Sequence, residues 1–119
     1  MAHILVVDDD VEIRRLVGRM LQIKGYKVDL AENGAVALDI LSETEVDLVI
    51  SDICMPIVDG YALFSKMRAQ GHVQPFIFIS GHVTEESQDV LDADAFIGKP
   101  FTFAELVKAV DGVLGRVPV

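Results

Sequence analysis

The feature that most constrains this chain is a recurring apolar run that does not alternate. Ile4-Leu5-Val6-Val7, Leu48-Val49-Ile50 and Phe76-Ile77-Phe78-Ile79 contain no polar residue and are rich in β-branched side chains. A strand with one wet face alternates polar and apolar residues. These runs do not, so both faces must be covered, as in a buried parallel sheet. Two weaker strands fit at Lys27 to Ala31 and Ala95 to Gly98. Between the runs the spacing turns helical. Ile13, Leu16, Val17, Met20 and Leu21 follow an i, i+3, i+4 rhythm that predicts one buried face, and Gly25 supplies the stop. Ala35 to Leu41 follows an Asn33-Gly34 turn, and a third segment runs from about Gly60 to Ala69, ending near Gly71. A fourth begins at Thr84, whose hydroxyl can cap a helix, with Ser87 to Leu91 behind it. The last carries Phe103, Leu106, Val107, Val110, Val113 and Leu114 on one face, with Thr102 as N-cap.

Strand and helix alternating five times predict right-handed crossovers and an open sheet with helices on both faces. The expected architecture is a doubly wound (βα)5 three-layer sandwich with parallel strand order 2-1-3-4-5. Any site should lie at the carboxyl ends of the strands, near the switch between strands 1 and 3. The 119 residues suit one domain, 1–119, with about 116–119 as a tail or the start of a linker. No apolar run approaches the roughly 20 residues of a membrane-spanning helix. The opening Met-Ala-His-Ile carries no export signal, so a cytoplasmic protein with no membrane contact is expected. Cys54 is the only cysteine, which excludes an internal disulfide and a multi-cysteine zinc site.

A net charge of −9 would repel a phosphate backbone, so no nucleic acid is expected on this domain. The charge is uneven. Arg14, Arg15, Arg19 and Lys24 crowd one early segment, and Glu85, Glu86, Asp89, Asp92 and Asp94 a later one. Such asymmetry marks either solvated faces or a docking face for an oppositely charged partner.

The polar residues that interrupt the apolar pattern fall at strand ends: Asp8, Asp9 and Asp10 after strand 1, Ser51-Asp52 at strand 3, Ser80-Gly81 at strand 4, Lys99-Pro100 at strand 5. In a parallel sheet those ends share one edge, so the residues should cluster. Two carboxylates about 4 Å apart repel by roughly 4 kcal/mol at an effective dielectric of about 20. Asp8, Asp9 and Asp52 together exceed what one lysine can balance, so either a carboxylate holds a proton or a cation sits among them. Oxygen donors suit a hard cation, and Mg²⁺ commonly binds one or two carboxylates plus a substrate phosphate. Taken singly each element has a plainer reading: acids favoured at a helix N-terminus, a surface lysine, a turn serine. Their joint placement at four strand ends is the stronger signal.

The stretches Ile4 to Asp10, Ser51-Asp52-Ile53-Cys54-Met55-Pro56-Ile57-Val58-Asp59-Gly60, Ile79-Ser80-Gly81 and Phe96-Ile97-Gly98-Lys99-Pro100-Phe101 resemble the response-regulator receiver family in content, order and spacing. The resemblance covers essentially the whole chain and implies a flavodoxin-like fold. It implies that Asp52 is the phosphoacceptor, and that Asp9, Asp52 and the Cys54 backbone carbonyl bind Mg²⁺, with Mn²⁺ as an alternative. Asp8 would act through a metal-bound water. Ser80 matches the hydroxyl switch position, Lys99 the family's lysine and Phe96 the aromatic switch. On this reading the protein is a signalling receiver that catalyses only its own aspartyl phosphorylation and dephosphorylation.

The implied donor is a histidine kinase or a histidine phosphotransfer protein. His3, His72 and His82 lie in no recognisable phosphohistidine context. The recipient would be a target protein or output domain, reached as a monomer or a phosphorylation-dependent dimer. Cys54 and His82, each two residues beyond a site residue, and Gly81, which leaves the pocket open, should tune access of hydrolytic water. Two readings compete. Val6 to Val11 also resembles the start of haloacid-dehalogenase-type phosphatases, with Asp8 as nucleophile and Asp10 as acid. A binding module that keeps the fold but is never phosphorylated is the other. Whether the Lys99–Pro100 bond is cis stays open.

Overall fold

In the computed structural model, which describes residues 2–81 and 94–115, the apolar runs become the middle of a parallel sheet. Its strands are β1 (His3–Val7), β2 (Lys27–Ala31), β3 (Leu48–Asp52), β4 (Phe76–Ser80) and β5 (Ala95–Gly98), in the order β2-β1-β3-β4-β5. Every residue of β1, β3 and β4 is buried, which is why these strands lack a polar alternation. The edge strand β2 keeps Lys27 and Leu30 exposed. The helices are α1 (Val11–Ile23), α2 (Gly34–Glu43), α3 (Gly60–Ala69) and α4 (Phe103–Leu114). The helix expected from Thr84, together with His82 and the last four residues, lies outside the described residues.

The two faces of the sheet are chemically distinct. On the side of α1 and α4 the core is aliphatic: Ile4, Val6, Ile50, Ile77 and Ile79 meet Val17, Leu21, Leu106 and Val110. On the side of α2 and α3 it is partly aromatic. Phe78 lies 4.7 Å from Phe76, 5.5 Å from Tyr61, 5.9 Å from Phe64 and 5.4 Å from Phe96, centroid to centroid. The strict Phe-Ile-Phe-Ile alternation of β4 sorts these two chemistries, because successive side chains point to opposite faces.

Each helix starts on a side chain that accepts its first free N–H groups. Asp10 caps α1, Asn33 caps α2 and Asp59 caps α3. Thr102 caps α4 and completes a capping box with Glu105. Such caps contribute about 1 kcal/mol each. Gly25 (φ 91°) and Gly71 (φ 86°) take the left-handed conformation just past α1 and α3, as their placement in the sequence predicts. Two apolar stripes are narrower than their periodicity suggests: Leu16 on α1 is 48% exposed and Phe103 on α4 40%. Spacing identifies the inward side but not how far the sheet reaches around it.

Candidate functional site

Strand register decides what meets at the carboxyl edge. β1 sits between β2 and β3, with Val7 level with Ser51; Asp52 is level with Ile79 and Ser80 with Gly98. The next residue of β1 is therefore beside Asp52, and Lys99 follows the residue level with Ser80. Carboxylate oxygens of Asp8, Asp9 and Asp52 lie within 4.8 Å of one another. Lys99 Nζ is 3.3 Å from Asp8 Oδ2 and 3.4 Å from Asp52 Oδ2. Asp8 (2% exposed), Asp52 (8%) and Ser80 (3%) are buried, whereas Asp9 is exposed. The Lys99 N–H donates to the Ser80 carbonyl at 2.9 Å, which fastens the ends of β4 and β5 together.

Charge is unbalanced here. Burial pushes the Asp8 carboxyl above its ordinary value; the Asp10 N–H opposes this, the Asp52 charge adds to it and Lys99 opposes it. For Lys99 burial acts downward, but the carboxylates of Asp8 and Asp52 outweigh it and hold the ammonium above its usual value. One lysine between two buried acids, with a third acid beside them, leaves surplus negative charge among hard oxygen donors. That donor set fits a small divalent cation.

Asp10 does not join the cluster. Its side chain accepts the N–H groups of Glu12 and Ile13, at 2.9 and 3.3 Å, as the cap of α1. This corrects the expectation that all three consecutive acids converge, and occupies the residue that the phosphatase reading would use as its acid.

The loop after Asp52 is seated by two glycines. A Cβ at Gly60 would stand 2.4 Å from the Asp52 carbonyl oxygen, and one at Gly34 would stand 2.6 Å from Val58 Cγ1. Glycine is required at both, and the first brings the start of α3 directly against the backbone of Asp52. Cys54 is exposed on this loop. A Cβ at Gly81 would meet open space. Phe96 is half-buried and stacks on Phe78, with the rings inclined by 29°. The Lys99–Pro100 bond is cis. Arg14, not anticipated at the site, donates from Nη1 to the Asp8 carbonyl at 2.6 Å.

A family model described as the response regulator receiver domain matches residues 4–111. The chain belongs to that family. The receiver is 35% identical to the transcriptional regulatory protein PcoR of Escherichia coli over 98% of its own length and 53% of PcoR. It thus spans about half the length of the curated relatives it matches. Among solved structures it resembles the chemotaxis protein CheY4 of Vibrio cholerae (TM-score 0.90, 30% identity, 95% of this chain and 98% of that one). It also resembles the response regulator TrrA of Thermotoga maritima, solved in complex with Mg²⁺-BeF (TM-score 0.84, 35% identity, 95% and 99%). The receiver is a signalling domain rather than a classical enzyme. Among its described residues, no helix is long and apolar enough to cross a membrane.

Proposed function

We propose that this receiver accepts a phosphoryl group on Asp52 from a phosphohistidine donor, and passes on the resulting change of shape. The convergence of three carboxylates, two of them sharing a single lysine, carries the reading. Asp9, Asp52 and the Cys54 carbonyl would hold Mg²⁺ or Mn²⁺, with Asp8 acting through a water. Bound there, the cation would neutralise the incoming phosphoryl oxygens and hold the reactants in line. An Asp52 carboxylate oxygen attacks phosphorus as the P–N bond of the donor breaks and its electron pair returns to the imidazole. Lys99 supplies a point charge to the phosphoryl oxygens, and the Ser80 hydroxyl a hydrogen bond. The donor is a histidine kinase or histidine phosphotransfer protein.

Phosphorylation adds about −1.5 to −2 of charge at Asp52. Drawing Ser80 toward it would shift the end of β4 and open space into which Phe96, already stacked on Phe78, can rotate. Phe96 also borders a groove of about 510 Å³ along β5 and α4, lined further by Gly98, Glu105 and Lys108. A change in its rotamer would therefore be legible to a target or output domain there. Cys54, Gly81 and His82 would govern hydrolytic water.

Incubation with Mg²⁺ and a small acyl phosphate, followed by mass spectrometry, tests the assignment. One phosphoryl group is expected, absent from Asp52→Asn; labelling at Asp8 instead would refute it. Beryllium fluoride should shift the amide resonances of Ala95 to Lys99, and unmoved resonances would refute the Phe96 relay.

A further inference from the structure

The acid cluster depends on a loop of only three residues between β1 and α1, and that loop is tied at every turn. The Asp8 N–H donates to the Ala31 carbonyl of β2 at 3.1 Å. Asp8 Oδ1 accepts the Asp10 N–H at 2.9 Å. The Asp10 carbonyl accepts the Arg14 N–H at 2.9 Å, and Arg14 Nη1 returns to the Asp8 carbonyl at 2.6 Å. The last bond closes a ring running from Asp8 through Asp10 to Arg14 and back.

The carbonyl that Arg14 holds belongs to the planar peptide joining Asp8 to Asp9. Fixing that plane limits the rotation left about Asp9, and with it the direction of the Asp9 side chain. A guanidinium makes a charge-assisted bond, stronger than a neutral donor would give. Asp9 is the exposed member of the cluster, so no packing around it substitutes for this restraint.

We infer that Arg14 is a positioning residue for the acidic site, clamping the Asp8–Asp9 peptide so that Asp9 presents its carboxylate to a divalent cation. This rests on the metal-site reading above. It also makes a prediction opposite to that of a simple field effect. A guanidinium acting only as a nearby charge repels Mg²⁺, so its removal would tighten binding; as a clamp, its removal loosens binding.

The test compares Arg14→Ala with Arg15→Ala, which deletes the same charge from the exposed neighbouring residue on the α1–β2 groove. Mg²⁺ affinity of the unphosphorylated proteins is measured calorimetrically, and amide exchange by NMR. Arg14→Ala should weaken Mg²⁺ binding by about tenfold, in the range seen when partners behind metal ligands are removed; Arg15→Ala should leave it within about twofold. In Arg14→Ala, exchange should accelerate at Asp10 while Val17 and Leu21 of α1 stay protected. Unchanged or tighter Mg²⁺ binding, or accelerated exchange throughout α1, would overturn the inference. If the wild-type protein itself binds no Mg²⁺, the metal-site reading fails, and the Asp10 amide still judges the clamp by itself.

Discussion

The sheet carries acids at both of its ends, and the two ends use them differently. Toward the amino ends Asp47, Asp94, Asp29 and Asp111 each have a separate partner. Asp47 Oδ2 accepts the His3 N–H at 2.8 Å while the Asp47 N–H donates to the His3 carbonyl at 2.7 Å. Asp94 brackets the first residue of β4 in the same way, with the Phe76 N–H at 2.9 Å and the Phe76 carbonyl at 3.0 Å. Asp29 meets His3 Nε2 at 2.7 Å, and Asp111 accepts from the Tyr26 hydroxyl. At the carboxyl ends Asp8 and Asp52 share Lys99, with Asp9 beside them. The backbone explains the contrast. Parallel strands leave N–H groups free where they begin and carbonyls free where they end, so an acid past the end of a strand faces acceptors. Among the described residues, donors at that end come from helix N-termini, and Asp10 and Asp59 each accept there as caps. Asp8 keeps one N–H, from Asp10; the rest of the charge is left for a cation.

Removing the lysine should have the largest effect. In Lys99→Met the Asp8 and Asp52 carboxylates lose their shared partner, and unfolding free energy in chelator should fall by about 2 kcal/mol, less than for a fully buried pair because the ammonium is partly exposed. Saturating Mg²⁺ should restore much of it. Denaturant titrations showing the same loss with and without Mg²⁺ would break the contrast between the ends. Asp47→Ala, which strips the His3 N–H of its acceptor, should cost about 1–2 kcal/mol regardless of Mg²⁺. Cys54→Asn leaves every acid in place, so stability should stay within about 0.5 kcal/mol. The phosphoryl half-life should nonetheless change several-fold, because a thiol is a poor partner for the attacking water; equal half-lives would count against the tuning role.

The last effect, confined to high pH, belongs to Tyr26. Burial, then the hydrogen bond and charge of Asp111, push its phenol up to about 12. An unfolded chain loses that proton near pH 10. The associated stabilisation is therefore complete below about pH 10 and lost as pH rises through about 12. Absorbance titration should show one tyrosine with the higher midpoint, and Asp111→Asn should lower it part of the way, since burial remains.

The central strands were legible because burial on both faces removes polar residues from Ile4 to Val7 and from Phe76 to Ile79. The acid cluster was legible because a parallel sheet brings strand ends to one edge whatever lies between them. What escaped depends on distances that no residue pattern encodes. Gly60 reads as a turn residue until the Asp52 carbonyl is found where its Cβ would stand. Asp10 reads as a third site acid until it is seen capping α1. Arg14 reads as part of a basic helix face, because its partner is a backbone carbonyl, which every residue possesses. Leu16 and Phe103 fit the helical stripe but stay exposed.

The contrast between the two ends is tested most directly by thermal unfolding of the wild type, Asp8→Asn and Asp47→Asn, each in chelator and in Mg²⁺. Asparagine at position 8 keeps an oxygen for the Asp10 N–H, removes the charge and turns an NH2 toward Lys99, which retains Asp52 as its partner. Asp8→Asn should melt above the wild type in chelator and gain less from Mg²⁺; Asp47→Asn should melt below it and keep the full Mg²⁺ gain. A lower melting temperature for Asp8→Asn in chelator, or a wild type indifferent to Mg²⁺, would contradict the account.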